Sequence, residues 1–163
     1  MKNVIILLVA AFFAVAGASA QQSNAIGLRG SYSCLWIDGW SGEISYQHSF
    51  GVHQRLEADL TLSTQTGNLT CLYQYKGKIL PGFSWYAGLG VMGGYATNAR
   101  FYDKDDLRYT TQLYAFLAAQ VGLEYQFPTL PLQVSLDYRP HFDFSPNTPV
   151  MHPDFGLSVR WTF

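Results

Sequence analysis

Apolar and polar side chains alternate along most of this 163-residue chain. In its last ten residues the even-numbered positions are polar or small, and the odd-numbered positions are Phe155, Leu157, Val159, Trp161 and Phe163. Successive side chains of a β-strand point to opposite faces of a sheet, so a period of two residues is the repeat of a strand. The chain is therefore predicted to be all-β, with strands that are apolar on one face only.

Eight segments show this alternation. They span residues 26–36, 43–50, 55–63, 69–76, 84–95, 112–127, 132–139 and 154–163. The connections also alternate in length: residues 51–53, 80–82 and 128–131 are short turns, whereas 37–42, 65–67, 97–111 and 145–153 lie at the other end and are mostly longer. An even number of strands with short turns at one end is typical of an antiparallel up-and-down transmembrane barrel.

The scarcity of charge indicates which face of the strands points outward. Charged residues make up only 13% of the chain, and the lysines are Lys2, Lys76, Lys78 and Lys104. A soluble barrel of the lipocalin type would expose its polar face to water and would need more lysine and glutamate there, although it shares the strand pattern. We therefore expect the apolar face to contact lipid, with aromatic girdles at both interfaces. The girdle residues are Phe50, Tyr75, Phe83, Trp85, Phe127, Trp161 and Phe163 toward the turns, and Trp36, Tyr95, Phe142 and Phe155 toward the loops.

The first twenty residues are interpreted as a cleaved signal peptide. Lys2 precedes an apolar run over residues 4–17, and Ala18, Ser19 and Ala20 form a small-residue cleavage site. The predicted domains are thus a signal peptide, 1–20, and a barrel, 21–163. Cys34 and Cys71 lie on the apolar face of the first and fourth strands, which are not neighbours, so both are expected to be free thiols.

The sequence resembles the small eight-stranded outer-membrane barrels of the OmpA/OmpX and opacity-protein type. The resemblance covers residues 24–163 and is most specific in the terminal strand Gly156-Leu-Ser-Val-Arg-Trp-Thr-Phe163 and in the segments 121–125 and 134–140. In that family, the final aromatic residues, here Trp161 and Phe163, resemble the signal that the barrel-assembly machinery recognises. The resemblance implies the outer membrane of a Gram-negative bacterium and a structural or surface-contact role, without implying one chemistry.

The inward face carries a nearly balanced set of charges. Five basic residues face six acidic ones, namely Arg29, Arg55, Lys76, Arg139 and Arg160 against Glu43, Glu57, Asp59, Glu124, Asp137 and Asp154. Buried charges persist only when they are paired, so this balance favours a filled lumen over a selective pore.

Three side-chain proximities follow from assumed hairpin registers. A last hairpin closing near residues 147–148 predicts Asp137 next to Arg160. A hairpin centred on residue 104 predicts Gly94 beside Tyr114 and Gly122 beside Tyr86, so that aromatic rings fit the narrow lumen.

The residues that resemble catalytic or metal-binding groups are few. His141, Asp143 and Ser145 share one face of a strand, but the outer two are ~13 Å apart, which is too far for a proton relay. The longest loop holds a mixed-charge cluster that lacks calcium-loop spacing, so it is interpreted as a possible surface-contact loop. Its residues are Arg100, Asp103, Lys104, Asp105, Asp106 and Arg108. We predict no catalytic residues, no metal site and no cofactor.

The expected function is that of a non-enzymatic integral outer-membrane barrel. Its expected partners are outer-membrane lipid, lipopolysaccharide and, during biogenesis, the barrel-assembly machinery. The 10 basic and 11 acidic residues form no long run of one sign, so a nucleic-acid partner is not expected. Three alternatives stay open at this stage: a narrow channel, a lipid-modifying enzyme and a soluble lipocalin-like barrel.

Overall fold

Twelve strands make up the regular structure of the residues that the structure describes. The computed structural model describes residues 24–33, 39–62, 66–98, 102–103, 106–107, 110–143 and 150–163. The predicted signal peptide lies outside these residues. Within them, no helix is long and apolar enough to cross a membrane. The strands are β1 (Ala25–Ser33), β2 (Gly39–Ser49), β3 (Gln54–Leu62), β4 (Thr66–Leu80), β5 (Phe83–Asn98), β6 (Tyr102–Asp103), β7 (Asp106–Leu107), β8 (Thr110–Gln126), β9 (Leu132–Tyr138), β10 (His141–Asp143), β11 (Val150–His152) and β12 (Asp154–Thr162).

The strands close into an eight-stranded antiparallel barrel, as the alternation predicts. Neighbours pair in the order β1, β2, β3, β4, β5, β8, β9 and β12, and β12 returns to β1. At the seam, Asn24 and Phe163 exchange two backbone hydrogen bonds of 2.9 and 2.8 Å. Closure gives each of these eight strands a neighbour on both sides, which removes the free sheet edge that would otherwise pair with other chains.

Two prolines interrupt the last hairpin at the same height. The registers pair Tyr138 with Phe155 and His141 with His152, which places Pro140 opposite Pro153. Neither proline has a backbone N–H, so neither can donate to the ladder at this level. The backbone pairing resumes beyond them, and β10 and β11 therefore extend β9 and β12 toward the loops.

The described turns lie at one end of the barrel. β4 and β5 are joined by Pro81 and Gly82, and Gly82 has a φ of 79°, which a residue with a Cβ adopts only with strain. Residues 50–53 and 127–131 form the other two turns at this end, where Asn24 and Phe163 also lie. Residues 34–38, 63–65 and 144–149, together with most of 99–109, connect the strands at the opposite end and lie outside the described residues.

The two faces of the wall have opposite polarity, and the charged one points inward. Arg29, Arg139 and Arg160 are among the largest side chains that are fully buried. Large apolar side chains cover the outside, and Leu28, Leu136 and Leu157 are 67%, 61% and 56% exposed. The exterior of this barrel is therefore apolar and its interior is polar, the reverse of a water-soluble protein.

The predicted pairing of small with large inward residues is confirmed. Gly94 lies opposite Tyr114, and Gly122 lies opposite Tyr86. A Cβ built on Gly122 would lie 2.5 Å from Cζ of Tyr86 and 2.8 Å from the carbonyl oxygen of Leu136. The Tyr86 ring thus occupies the space above Gly122, and it is completely buried.

We predict that Gly122→Ala destabilises the barrel by about 1–3 kcal/mol, because the new methyl group overpacks the lumen against Tyr86. The matched control is Gly42→Ala, since a Cβ on Gly42 meets nothing within 4 Å. Urea titration of the folded protein in detergent micelles measures both variants. Equal midpoints for the two variants would show that the Tyr86 ring does not fill this space.

Candidate functional site: the charged lumen

The lumen collects almost all the charged side chains that the structure describes. The eleven inward charges predicted from the sequence all lie there, and ten are buried; Lys76, nearer the turns, is 22% exposed at its side chain. They alternate with the apolar outer residues on β1, β2, β3, β4, β8, β9 and β12, with Arg139 directly after β9, so all of them lie on the inward face of the wall. These side chains form one connected set of ion pairs and amide hydrogen bonds.

Arg29 is the hub of the network on the β1 side. Its guanidinium donates to Glu43 at 3.0 Å, to Asp154 at 3.1 Å and to Asp137 at 2.7 Å. Asp137 is on β9, and β12 lies between β9 and β1. Arg29 reaches it over Gly156, whose missing side chain leaves the space that the guanidinium fills. A glycine in the intervening strand therefore allows an ion pair between two strands that are not neighbours.

Arg139 neutralises the carboxylates of β2 and β3. It donates to Glu43 at 3.3 Å and to Glu57 at 2.8 Å, and it also pairs with Asp59. Arg139 comes directly before Pro140, at the point where the last hairpin is interrupted, and its own backbone N–H donates to the carbonyl of Asp154 at 2.7 Å. Arg29 and Arg139 thus share Glu43, and this shared carboxylate joins their two clusters.

Glu57 lies at the centre of the network. Its carboxylate accepts from Arg139 at 2.8 Å, from Arg160 at 3.1 Å, from Gln47 at 2.5 Å and from Gln120 at 3.2 Å. Four donors from β2, β8, β12 and the residue after β9 therefore meet on one buried side chain. Such a carboxylate is held ionised by its partners and cannot rotate freely.

A second cluster lies nearer the turns. Arg55 donates to Glu124 at 2.5 Å, Lys76 also pairs with Glu124, and the guanidinium carbon of Arg55 is 4.6 Å from the centre of the Tyr86 ring. Gln133 bridges Glu124 and Gln47 at 3.0 and 3.1 Å, which links this cluster to the central one. The charges therefore extend from the turns to the level of Pro140.

Apolar side chains fill the part of the lumen that the charges leave. Leu72, Met92 and Phe116 are buried at inward positions, and the Tyr114 ring stacks on Phe116 at 5.3 Å. These inward apolar residues were not predicted, because they break the polar pattern of β4, β5 and β8. The described part of the lumen therefore holds both paired charges and buried apolar side chains.

The predicted ion pair between Asp137 and Arg160 is wrong. Asp137 lies opposite Gly156, and Arg160 lies opposite Gln133. The hairpin is centred between residues 146 and 147, with Pro140 opposite Pro153, so the residue opposite Asp137 lies four positions before Arg160. Arg160 instead donates to Ser45 at 2.9 Å, to Ser135 at 2.7 Å and to Glu57.

The candidate catalytic row does not assemble in the described residues. His141 is buried, and neither of its ring nitrogens has a hydrogen-bond partner. A nucleophile and its base must lie within hydrogen-bonding reach of each other, and no described hydroxyl meets that condition at His141. Ser145 lies outside the described residues.

Cys71 lies on the outer face and is free, as predicted. Cys34, Trp36 and most of the surface-contact loop fall outside the described residues. In that loop, only the backbone pairs of β6 with β7 are described, and Asp103 faces Asp106 there. Of the assembly-signal residues, Trp161 is 53% exposed, and Phe163 follows the last strand and pairs with Asn24.

The aromatic residues on the outside form two bands. Toward the turns, Tyr75 packs on Trp85 at 6.0 Å and Tyr125 packs on Phe127 at 5.0 Å. Toward the loops, Tyr138 packs on Phe155 at 4.9 Å, and Trp40, which was not predicted as a girdle residue, is 84% exposed. Between these bands the outer surface is mainly aliphatic.

Comparison with known proteins identifies the fold. No protein-family model matches the chain, and no curated protein sequence matches it significantly. Solved structures do match. The N-terminal β-barrel domain of Pseudomonas aeruginosa OprF superposes with a TM-score of 0.66 at 15% identity, covering 86% of this chain and 97% of that domain. Neisserial surface protein A gives a TM-score of 0.62 at 15% identity, with 87% and 97% covered.

The attachment invasion locus protein Ail of Yersinia pestis gives a TM-score of 0.57 at 16% identity, covering 87% of this chain and 97% of that protein. A de novo designed transmembrane β-barrel also superposes, with a TM-score of 0.59 at 10% identity. The chain therefore has the fold of the eight-stranded outer-membrane barrels.

We predict that Arg29→Met destabilises the barrel by about 3–5 kcal/mol, because it leaves three buried carboxylates without their shared cation. The matched control, Lys78→Met, removes an exposed charge and should change stability by less than about 0.5 kcal/mol. Urea titrations at pH 7 measure both variants, and equal midpoints for the two would contradict the ionic origin.

Proposed function

We propose that this chain is an integral protein of a Gram-negative outer membrane, that it has no enzymatic activity, and that it presents its outer loops for contacts at the cell surface. The inverted polarity of the barrel carries this proposal. Among the residues whose side chains the structure describes, Lys78 is the only lysine, arginine, aspartate or glutamate that is exposed. Lys78 lies near the Pro81–Gly82 turn, beyond the aliphatic band.

An apolar exterior of this kind is unfavourable in water and favourable in lipid. Large exposed apolar patches mark membrane or protein contacts, and here they surround the wall of the barrel on all sides. The closed ladder satisfies the backbone groups of the wall internally, as the hydrocarbon region requires. The soluble lipocalin-like alternative needs a polar exterior and an apolar cavity, and both features are reversed in this chain.

The lumen supports a closed structural barrel rather than a channel. An eight-stranded barrel is just wide enough for side chains to fill it. Here paired charges fill one part, while Leu72, Met92 and Phe116 are buried in the rest. The absence of a hydroxyl partner for His141 within the described residues argues against the lipid-modifying alternative.

The proposed partners follow from this position. Outer-membrane lipid and lipopolysaccharide contact the aliphatic band and its aromatic borders, and the assembly machinery recognises the end of β12 at Trp161 and Phe163. Ail, one of the structural neighbours, has been solved in complex with a heparin analogue, sucrose octasulfate. For this chain, we propose that loop 99–109, with its three basic and three acidic residues at 100–108, makes the surface contact.

The first test is the location and heat-dependent mobility of the protein. We expect it in the outer-membrane fraction, and we expect boiled and unboiled samples to migrate differently on a denaturing gel, because a closed barrel stays folded in cold detergent. Leu157→Arg should then cost about 2–4 kcal/mol, since it places a charge in the lipid core. The control Val52→Arg, in the turn, should be nearly neutral. Recovery without detergent, with Leu157→Arg tolerated, would contradict the proposal.

The surface-contact role is tested by replacing residues 99–109 with a glycine-serine linker of equal length. The barrel should keep its heat-dependent mobility, because the exchanged segment lies beyond the wall of the barrel, while binding of cells to immobilised host glycans or matrix should fall. The matched control exchanges residues 51–53 at the opposite end, which should leave binding unchanged. Equal binding by both exchanged proteins would exclude loop 99–109 as the contact.

A further inference from the structure

We propose that the outer mouth of the lumen holds a site for a divalent transition-metal ion of the Zn²⁺ class, formed by His141 and His152. These residues lie directly opposite each other in the β10–β11 ladder. Both occupy inward positions, because His141 continues the series of Asp137 and Arg139, and His152 precedes Asp154 by two residues. Directly opposed side chains have Cβ atoms ~4.5–5.5 Å apart, which allows two imidazoles to bind one ion at ~2.0–2.1 Å.

The first supporting observation is that His141 is buried without a partner. The residue is 2% exposed, and neither Nδ1 nor Nε2 has a hydrogen bond within the described structure. A neutral imidazole carries one donor and one acceptor, and leaving both unsatisfied in a protein interior costs free energy. A metal ion on one nitrogen with a bound water near the other removes this cost.

The second observation is the space beside the pair. The β8 residue opposite His141 is Ala118, which has no side chain beyond its Cβ. Phe116 bounds this space beside His152, and the centres of the two rings are 6.1 Å apart. His152 is partly exposed, so the pair does not lie entirely within the buried charge network.

The third observation is the charge beneath the pair. The clusters of Arg29, Arg139 and Arg160 contain three guanidiniums and five carboxylates, namely Glu43, Glu57, Asp59, Asp137 and Asp154. This part of the lumen therefore carries a surplus of two negative charges. One oxygen of Asp154, Oδ1, has no partner and belongs to the residue two positions after His152. Arg29 and Arg139 face the same region and oppose a cation there, so the two imidazoles and the unpartnered Asp154 oxygen have to outweigh them.

The site has two protein ligands. Within the described residues, no three histidine, cysteine, aspartate or glutamate side chains converge as a metal cluster. Water must then complete the coordination, so the ion is exchangeable and its affinity lies in the micromolar range rather than that of a structural zinc site. Imidazole favours Zn²⁺, Cu²⁺ and Ni²⁺ over Mg²⁺ or Ca²⁺, which prefer oxygen ligands.

Titration calorimetry with Zn²⁺ on the tag-free, folded barrel in detergent tests this site. We expect one Zn²⁺ per barrel, and His141→Gln and His152→Gln should each weaken binding at least ten-fold. The matched control is the double variant His48→Gln/His53→Gln. It removes the two histidines at the turn end and should leave the affinity for Zn²⁺ unchanged.

Heat-dependent mobility establishes that each variant is folded, and Cu²⁺ electron paramagnetic resonance gives a second readout by counting the coordinated nitrogens. Two equivalent nitrogens in the wild type and one in either single variant support the site. Absence of saturable binding, wild-type affinity in folded His141→Gln or His152→Gln, or loss of binding in the turn-end control would each overturn it. None of these outcomes depends on where the barrel resides in the cell.

Discussion

Mutual neutralisation of the charges inside the closed sheet is the condition on which the rest of this structure depends. Arg29, Arg139 and Arg160 are each at most 1% exposed, so bulk water cannot compensate them. Each guanidinium must meet carboxylates within the lumen, and this requires the strands to be correctly aligned around the whole circumference. The contact of Arg29 with Asp137 across β12 shows how strict the requirement is, because Gly156 must lie between them.

The faces of the strands were predictable from the sequence, because parity is a local property. Each inward charge, from Arg29 on β1 to Arg160 on β12, is identified because it lies at an odd number of positions from the apolar outer residues of its strand. The registers around residue 104 were also predictable, since β5 and β8 are long and pair without interruption from Phe83 to Asn98. The fold therefore follows from alternation and from the small number of charges left for the outside.

The contacts across the lumen were not predictable in the same way, because alternation specifies a face and not a height. The last hairpin is the clearest case: a shift of four positions separated Asp137 from Arg160 and also concealed the opposition of His141 and His152. The residues that indicate this register are Pro140 and Pro153. Neither has a backbone N–H to donate, so the two can lie opposite each other in the ladder. The inward Leu72, Met92 and Phe116 were missed because apolar residues on both faces erase the alternation locally.

Buried ion pairs are often no more stabilising than apolar residues of the same size, so stability alone does not explain this lumen. The charged lumen is explained instead by its effect on the alignment of the strands. If both faces of the wall were apolar, a strand displaced by one residue would expose the same kind of surface to lipid and would cost little. With Arg55, Glu57 and Asp59 on β3, the same displacement moves three charges into hydrocarbon, at about 2–4 kcal/mol for each cation at the midplane and less for each carboxylate. The charges thus make the misaligned barrels unfavourable, and the native register is the one in which every strand keeps its charges inside.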